Sequence, residues 1–342
     1  MLSSRVIVLT FLERRSAHTL AGAVFRRPLR LLLPILFSLA LPSIVGAAGG
    51  FKNAQRLSEI TANSAAIPPA VFPNFLEYFN SIFTLFFDTQ PYKSDRGIAY
   101  TPLSGLSWVI PVIFSQSFTV YVFAALLPFI SLRAKVWGFP GFIIVTYWLG
   151  SWAWYNLTAL QLAEFTLVYL PLAQSKRKLY IPPAILLVLG LALKWAWASN
   201  PAHRNDEYIY HTDKSYGGLN RYLNANLQPY PRVDDFFVVA GSMALLDLNA
   251  VAQRIFANPV FRYLGRISFM LFLTSGTVCL ALGSKLTVVL RDQRGMTSES
   301  SILAALFFAC IPLSLVVAEI CYWLVEWPSF VAARWLFRWI RV

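Results

Sequence analysis

Carboxylates are scarce in this chain: 16 Asp and Glu face 29 Lys and Arg, for a formal net charge of +13. Charged residues of both signs make up only 13% of the sequence, too few to solvate the surface of an ordinary soluble domain. There are three cysteines, Cys279, Cys310 and Cys321, all inside apolar runs, where a thiol behaves as a small hydrophobe. No disulfide framework and no zinc site follows from them. The three histidines, His18, His203 and His211, all stand outside the apolar runs. The basic excess does not form one continuous patch. Lys and Arg sit in short clusters beside apolar segments, which is the positive-inside pattern of membrane proteins and argues against a nucleic-acid partner.

What fills the chain is hydrocarbon. Of its 342 residues 57% are hydrophobic and 15% aromatic, and the apolar runs are long enough to cross a bilayer. The pattern predicts an all-α, polytopic transmembrane helical bundle of about eight spans, near 31–48, 108–130, 139–154, 157–173, 181–198, 233–248, 267–289 and 302–325. The basic clusters, among them Arg26, Arg27, Arg30, Lys176, Arg177, Lys178, Arg254, Arg262, Arg266, Arg334 and Arg338, alternate with less basic loops so that both termini fall on the cytoplasmic side. No internal repeat or second soluble domain interrupts residues 1–342, which read as one membrane domain. Membrane lipids are the implied surroundings.

Three local features add detail. Met1 to Leu12 is apolar for about a dozen residues with Arg5 inside it, too short for a span and without a cleavage site, so it reads as the tail of a helix. Between Val71 and Asp88, Phe72, Leu76, Phe79, Phe83 and Phe86 recur at helical spacing, as in a helix lying in the membrane interface. In the seventh span Gly265, Ser268, Ser275, Cys279 and Gly283 fall on one stripe, which predicts a face turned towards protein with Met270 and Leu273 away from it.

The run Tyr263-Leu264-Gly265-Arg266-Ile267-Ser268-Phe269, followed by Leu271-Phe272-Leu273, resembles the signature of the integral-membrane acyltransferase 3 family in its fungal-type branch. Trp108-Val109-Ile110-Pro111-Val112-Ile113-Phe114 is similar to a second family segment, and the likeness extends to Phe25 through Pro34. Ser275 stands where the family usually carries a histidine, and Ile113 where it carries a glutamate. The resemblance implies an O-acyltransferase that moves an acyl group from acyl-CoA, its co-substrate, to a hydroxyl of a small-molecule, lipid or carbohydrate acceptor, with no bound cofactor. It also implies one to two further helices ahead of Ser3-Ser4-Arg5, one of them bearing a histidine that acts on the acceptor.

Candidate chemistry is sparse. Glu164 lies mid-span, where a carboxylate is costly and therefore either functional or held by structural partners. Glu319, nearer a span end, is placed to reach the interface or Arg266. His18 and Ser275 complete the catalytic candidates, since transfer to a hydroxyl needs a base near neutral pH. Arg27, Arg30, Arg262 and Arg266 are candidates for the phosphates of coenzyme A. His203, Asp206, Glu207 and His211 have metal-like spacing only if their segment is helical, and Asn200-Pro201 favours a loop. The sequon at Asn156 sits in a tight turn at the membrane surface and is discounted for glycosylation. Two other readings remain open: a family member impaired in catalysis that binds a lipid or partner, motivated by Ile113 and Ser275, and a transporter, for which only Pro111 and Glu164 speak.

Overall fold

The computed structural model describes residues 1–63, 66–87, 101–102, 108–172, 177–204, 206–207 and 230–340, and among them every regular element is helical. In chain order these are α1 (Leu2–Arg14), α2 (Ala17–Ala47), α3 (Ala54–Thr61), α4 (Phe75–Phe87), α5 (Val109–Leu126), α6 (Phe139–Trp148) and α7 (Ala153–Glu164). They continue as α8 (Ile181–Ser199), α9 (Val233–Leu248), α10 (Ala250–Phe256), α11 (Pro259–Val288), α12 (Glu299–Cys321) and α13 (Trp327–Ile340). Counted with the helical turns that prolong them, five are long and apolar enough to cross a membrane: Ala17–Ala47, Val109–Phe129, Lys178–Ser199, Pro259–Gln293 and Glu299–Ile340. A sixth is obtained if α9 and α10, bent by 106° at Asn249, count as one. The segments expected near 139–154 and 157–173 correspond to the shorter α6 and α7. The chain divides into two compact units, residues 1–24 with 112–258 and residues 25–111 with 259–342.

In the first unit Val8, Phe11 and Leu12 of α1 pack with Val120, Tyr121 and Ala124 of α5 and with Leu157, Leu160 and Ala163 of α7. The sequence puts the break between the third and fourth spans after Trp154, but α6 already stops at Trp148. Gly150, with φ +64°, ends it by donating to the Tyr147 carbonyl (2.8 Å) while Ser151 N donates to that of Thr146 (3.0 Å). This closing pair of hydrogen bonds needs a left-handed residue, which glycine supplies without a Cβ clash. Asn156 is consequently not in a turn: it is buried in α7, accepting from the Ser4 hydroxyl and donating to the Trp152 carbonyl.

The α8 and α9 helices meet backbone to backbone. A Cβ at Gly190 would lie 2.7 Å from Val238 N, and one at Gly241 would lie 2.8 Å from both Leu187 N and the Pro183 carbonyl oxygen. Two glycines thus form the close contact that small residues allow between membrane helices. The C-terminal carbonyls of α9 do not go unpaired where the chain turns: Tyr180 donates to Leu248 O (2.7 Å), and the Gln253 amide donates to Leu246 O (2.9 Å) and Asp247 O (3.0 Å). Asn249 restarts the helix by accepting from Val251 N and Ala252 N.

In the second unit α11 packs on α12, and the expected face is turned to protein only in its C-terminal half. There Gly283 is buried, and a Cβ built on it would lie 3.7 Å from Leu306 and 3.8 Å from Cys310 of α12. In the N-terminal half Gly265 and Ser268 are exposed, whereas Ile267, Met270 and Thr274 are fully buried. The small residues of that half lie on the partner: Ile267 and Met270 insert against Ala318 and Cys321 of α12. Along α4 the rings of Phe75, Phe79, Phe83 and Phe87 meet at successive turns on the exposed side, the outer pairs stacked and Phe79–Phe83 edge to face, while Ile82, Leu85 and Phe86 face inward. Asp88 lies outside the described residues.

Candidate functional site

The first unit contains a cavity of about 350 Å3 between α7, α8 and α9, within the size range of small-molecule sites. Its walls are mainly apolar, with Leu162, Phe165, Leu186 and Ala244 among them, and its polar groups come from Thr158, Gln161, Thr166 and Asp247. The α7 residues line it because positions 158, 161, 162, 165 and 166 share one helical face. Phe165 opens a π-helical turn running to Tyr169, a local widening often found where a helix borders a site.

Asp247 sits in the last turn of α9, the end whose partial negative charge opposes a carboxylate. Its position is maintained by Arg5, which donates from Nη1 to Oδ2 and from Nη2 to Oδ1, both at 2.6 Å. The Thr166 hydroxyl lies 2.8 Å from Oδ2. Neither Asp247 nor its pairing with Arg5 was legible in the sequence.

At the end of α7, Glu164 is buried between two cations. Lys135 Nζ donates to Oε1 at 2.8 Å and Arg15 donates to Oε2. Of the two readings open for this residue, the geometry provides the structural partners. The acid–cation pairs Arg5–Asp247, Arg15–Glu164 and Lys135–Glu164 tie α1, the turn before α6, α7 and α9 together.

The other candidates lie elsewhere. Glu319 accepts from Arg266 Nη2 (2.7 and 3.0 Å) and from Trp323 Nε1 (2.8 Å), so the pair expected with Arg266 is formed. Arg262 and Arg266 are exposed at the start of α11. Arg27 is buried in α2, and the Arg30 guanidinium stacks 3.9 Å above the Phe330 ring. Ser275 is half-buried in mid-α11, Ile113 half-buried in α5, and His18 exposed in the first turn of α2. None of these lines the cavity. Of the loop residues with metal-like spacing, His203 Nδ1 pairs with Asp206 at 2.6 Å, while Glu207 turns away to accept from Val233 N (2.8 Å) at the start of α9. Burial raises the Glu207 carboxyl above its ordinary range. His211 lies outside the described residues. A small void of about 30 Å3 in the second unit, beside Gly276, has room for roughly one water.

Comparison of the chain with models of protein families, with curated proteins and with solved structures finds no match.

Proposed function

We propose that the protein is a multi-pass membrane protein that receives the hydrocarbon part of a ligand in the cavity of the first unit and acts as an O-acyltransferase. The observation that carries the first half is the cavity itself: apolar walls with a few polar groups gathered on α7 and α9. The second half rests on the resemblance of the segments around Arg266 and Pro111 to acyltransferase 3 enzymes. In the reaction the thioester C–S bond of acyl-CoA breaks, an ester C–O bond forms to the acceptor hydroxyl, and the hydroxyl proton ends on the thiol of coenzyme A. Arg27, Arg30, Arg262 and Arg266 are the groups proposed for its phosphates. Eight crossings with both termini cytoplasmic belong to the same reading.

Purified protein in lipid nanodiscs, labelled acyl-CoA and a panel of hydroxyl acceptors test this. Release of free coenzyme A with a labelled ester is expected, and Ala244→Phe, which fills the cavity, should reduce it at least about tenfold. A second reading, binding without chemistry, is favoured by one observation: Asp247 and Glu164 are each already held by cations, so both acids have structural partners. Absence of coenzyme A release across the whole panel would select it.

A further inference from the structure

The hydrogen-bond capacity left over in the cavity identifies the head group it suits. An ionised carboxylate has about four acceptor positions on its two oxygens. On Asp247, Oδ2 receives Arg5 and faces Thr166, and Oδ1 receives Arg5. One position on Oδ1 remains. The Thr166 proton is shared, because its oxygen also lies 2.7 Å from the Leu162 carbonyl. Gln161, a turn back on the same face of α7, lines the cavity and its side-chain amide has no hydrogen-bond partner among the described residues. The cavity therefore offers an open acceptor position on Oδ1 beside an unpaired amide that can donate as well as accept.

Charge narrows the choice further. Asp247 is the one charged residue lining the cavity among the described residues, and Arg5 neutralises it with both Nη groups. A cationic head would meet an acid already paired with a cation, and an anionic head would meet a carboxylate whose guanidinium partner does not line the cavity. Either would be an uncompensated charge among apolar walls, which is costly. A hydroxyl has neither problem: it donates to Oδ1 and accepts from Gln161.

We infer that the cavity between α7, α8 and α9 binds an uncharged long-chain alcohol, its hydroxyl between Asp247 and Gln161 and its chain along Leu162, Phe165, Leu186 and Ala244. This deepens the proposed function, since it rests on reading the cavity as the ligand site and narrows the acceptor to a hydrophobic alcohol.

The test is photolabelling of the purified full chain in detergent at pH 8 with a dodecanol carrying a diazirine on its chain, competed by 1-dodecanol, dodecylamine or dodecanoate. The label is expected on peptides of α7, α8 or α9. 1-Dodecanol should compete at a concentration about tenfold below the amine and the acid, the ratio one well-placed hydrogen bond supplies. Gln161→Leu, a half-buried exchange that leaves every ion pair intact, should remove most of that advantage while the variant melts like the parent chain. An amine or acid that competes as well as the alcohol overturns the inference, as does unchanged selectivity in Gln161→Leu or a label confined to other helices. Turnover is read separately: alcohol selectivity without coenzyme A release sinks acyl transfer and keeps the alcohol site, whereas coenzyme A release without that selectivity does the reverse.

Discussion

Arg15 is held in a left-handed backbone conformation, φ 50°, at the end of α1, a geometry that costs a residue with a Cβ of order 1 kcal/mol. Its ion pair with Glu164 compensates that strain and the burial of the acid. Removing the carboxylate strands both Arg15 and Lys135, so Glu164→Gln is expected to destabilise the protein by about 3 kcal/mol, seen as a lower melting temperature in detergent. Adding Lys135→Met should recover part of the loss; a single variant that melts normally would show that the cations do not depend on Glu164. Glu207 gives a second expectation, on pH. Burial, its largest influence, raises its carboxyl despite the hydrogen bond from Val233 N, so the folded state binds the proton more tightly than the unfolded one. Stability contributed there is complete below the ordinary glutamate value, about 4.3, and falls as pH rises through the raised folded value. Hydrogen exchange at the start of α9 should quicken over that interval, and Glu207→Gln should flatten the dependence. Glu164 was visible in the sequence because a carboxylate interrupts an apolar run. Its partners were not, since Arg15 is 149 positions away and Lys135 is 29, and periodicity carries no information on which distant side chains converge.

The contact between α8 and α9 rests on two glycines that no helical pattern distinguishes from other small residues in apolar runs. Gly241→Ala pushes a methyl to within 2.8 Å of Leu187 N and the Pro183 carbonyl, atoms that cannot move aside as a flexible side chain would. A loss of roughly 2–3 kcal/mol is expected, together with distortion of the cavity that both helices line. Gly141 in α6 is the control: nothing lies within 4 Å of a Cβ built there, so Gly141→Ala should stabilise by about 0.5–1 kcal/mol through helix propensity alone. Equal melting shifts of one sign in the two variants would refute the close-contact account. The bounds of α8 and α9 were legible, because runs of apolar residues end at polar clusters on both sides. The break after α6 was misplaced because the aromatic residues Trp152 and Trp154 continue the apolar run past the turn that Gly150 makes. The face of α11 was legible at Gly283, which lies against Leu306 and Cys310 of α12, and misjudged at Gly265 and Ser268: small residues mark a close approach, but the sequence does not say which of two partner helices supplies them, and there Ala318 and Cys321 do.

Across the whole chain, composition is the level at which the sequence spoke most clearly, since an all-helical chain with several bilayer-length apolar helices follows from hydropathy alone. The number of crossings does not, because it turns on segments of intermediate length. The helical stretch from Ala134 to Trp148, a π turn followed by α6, is roughly 20 Å long at 1.5 Å per residue, against a hydrocarbon core of about 30 Å. The bent pair α9 and α10 presents the same question. These segments decide the topology, and parity makes the decision measurable. An even number of crossings returns the C-terminus to the side of the N-terminus, and an odd number separates them. The arginines before α2, at the start of α11 and in α13 favour a common, cytoplasmic side. Single cysteines placed at Arg14, Ser151, Asn200, Ala257 and Arg338 in a background lacking Cys279, Cys310 and Cys321, probed in sealed membrane vesicles with an impermeant maleimide, are expected to label as two groups: Arg14, Ala257 and Arg338 together, Ser151 and Asn200 together. If Ser151 labels with Arg14, α6 and α7 form a re-entrant pair that leaves by the face it entered. In that arrangement Glu164 and its two cations lie near one surface instead of in the membrane interior, and the bilayer would no longer be the reason for pairing them.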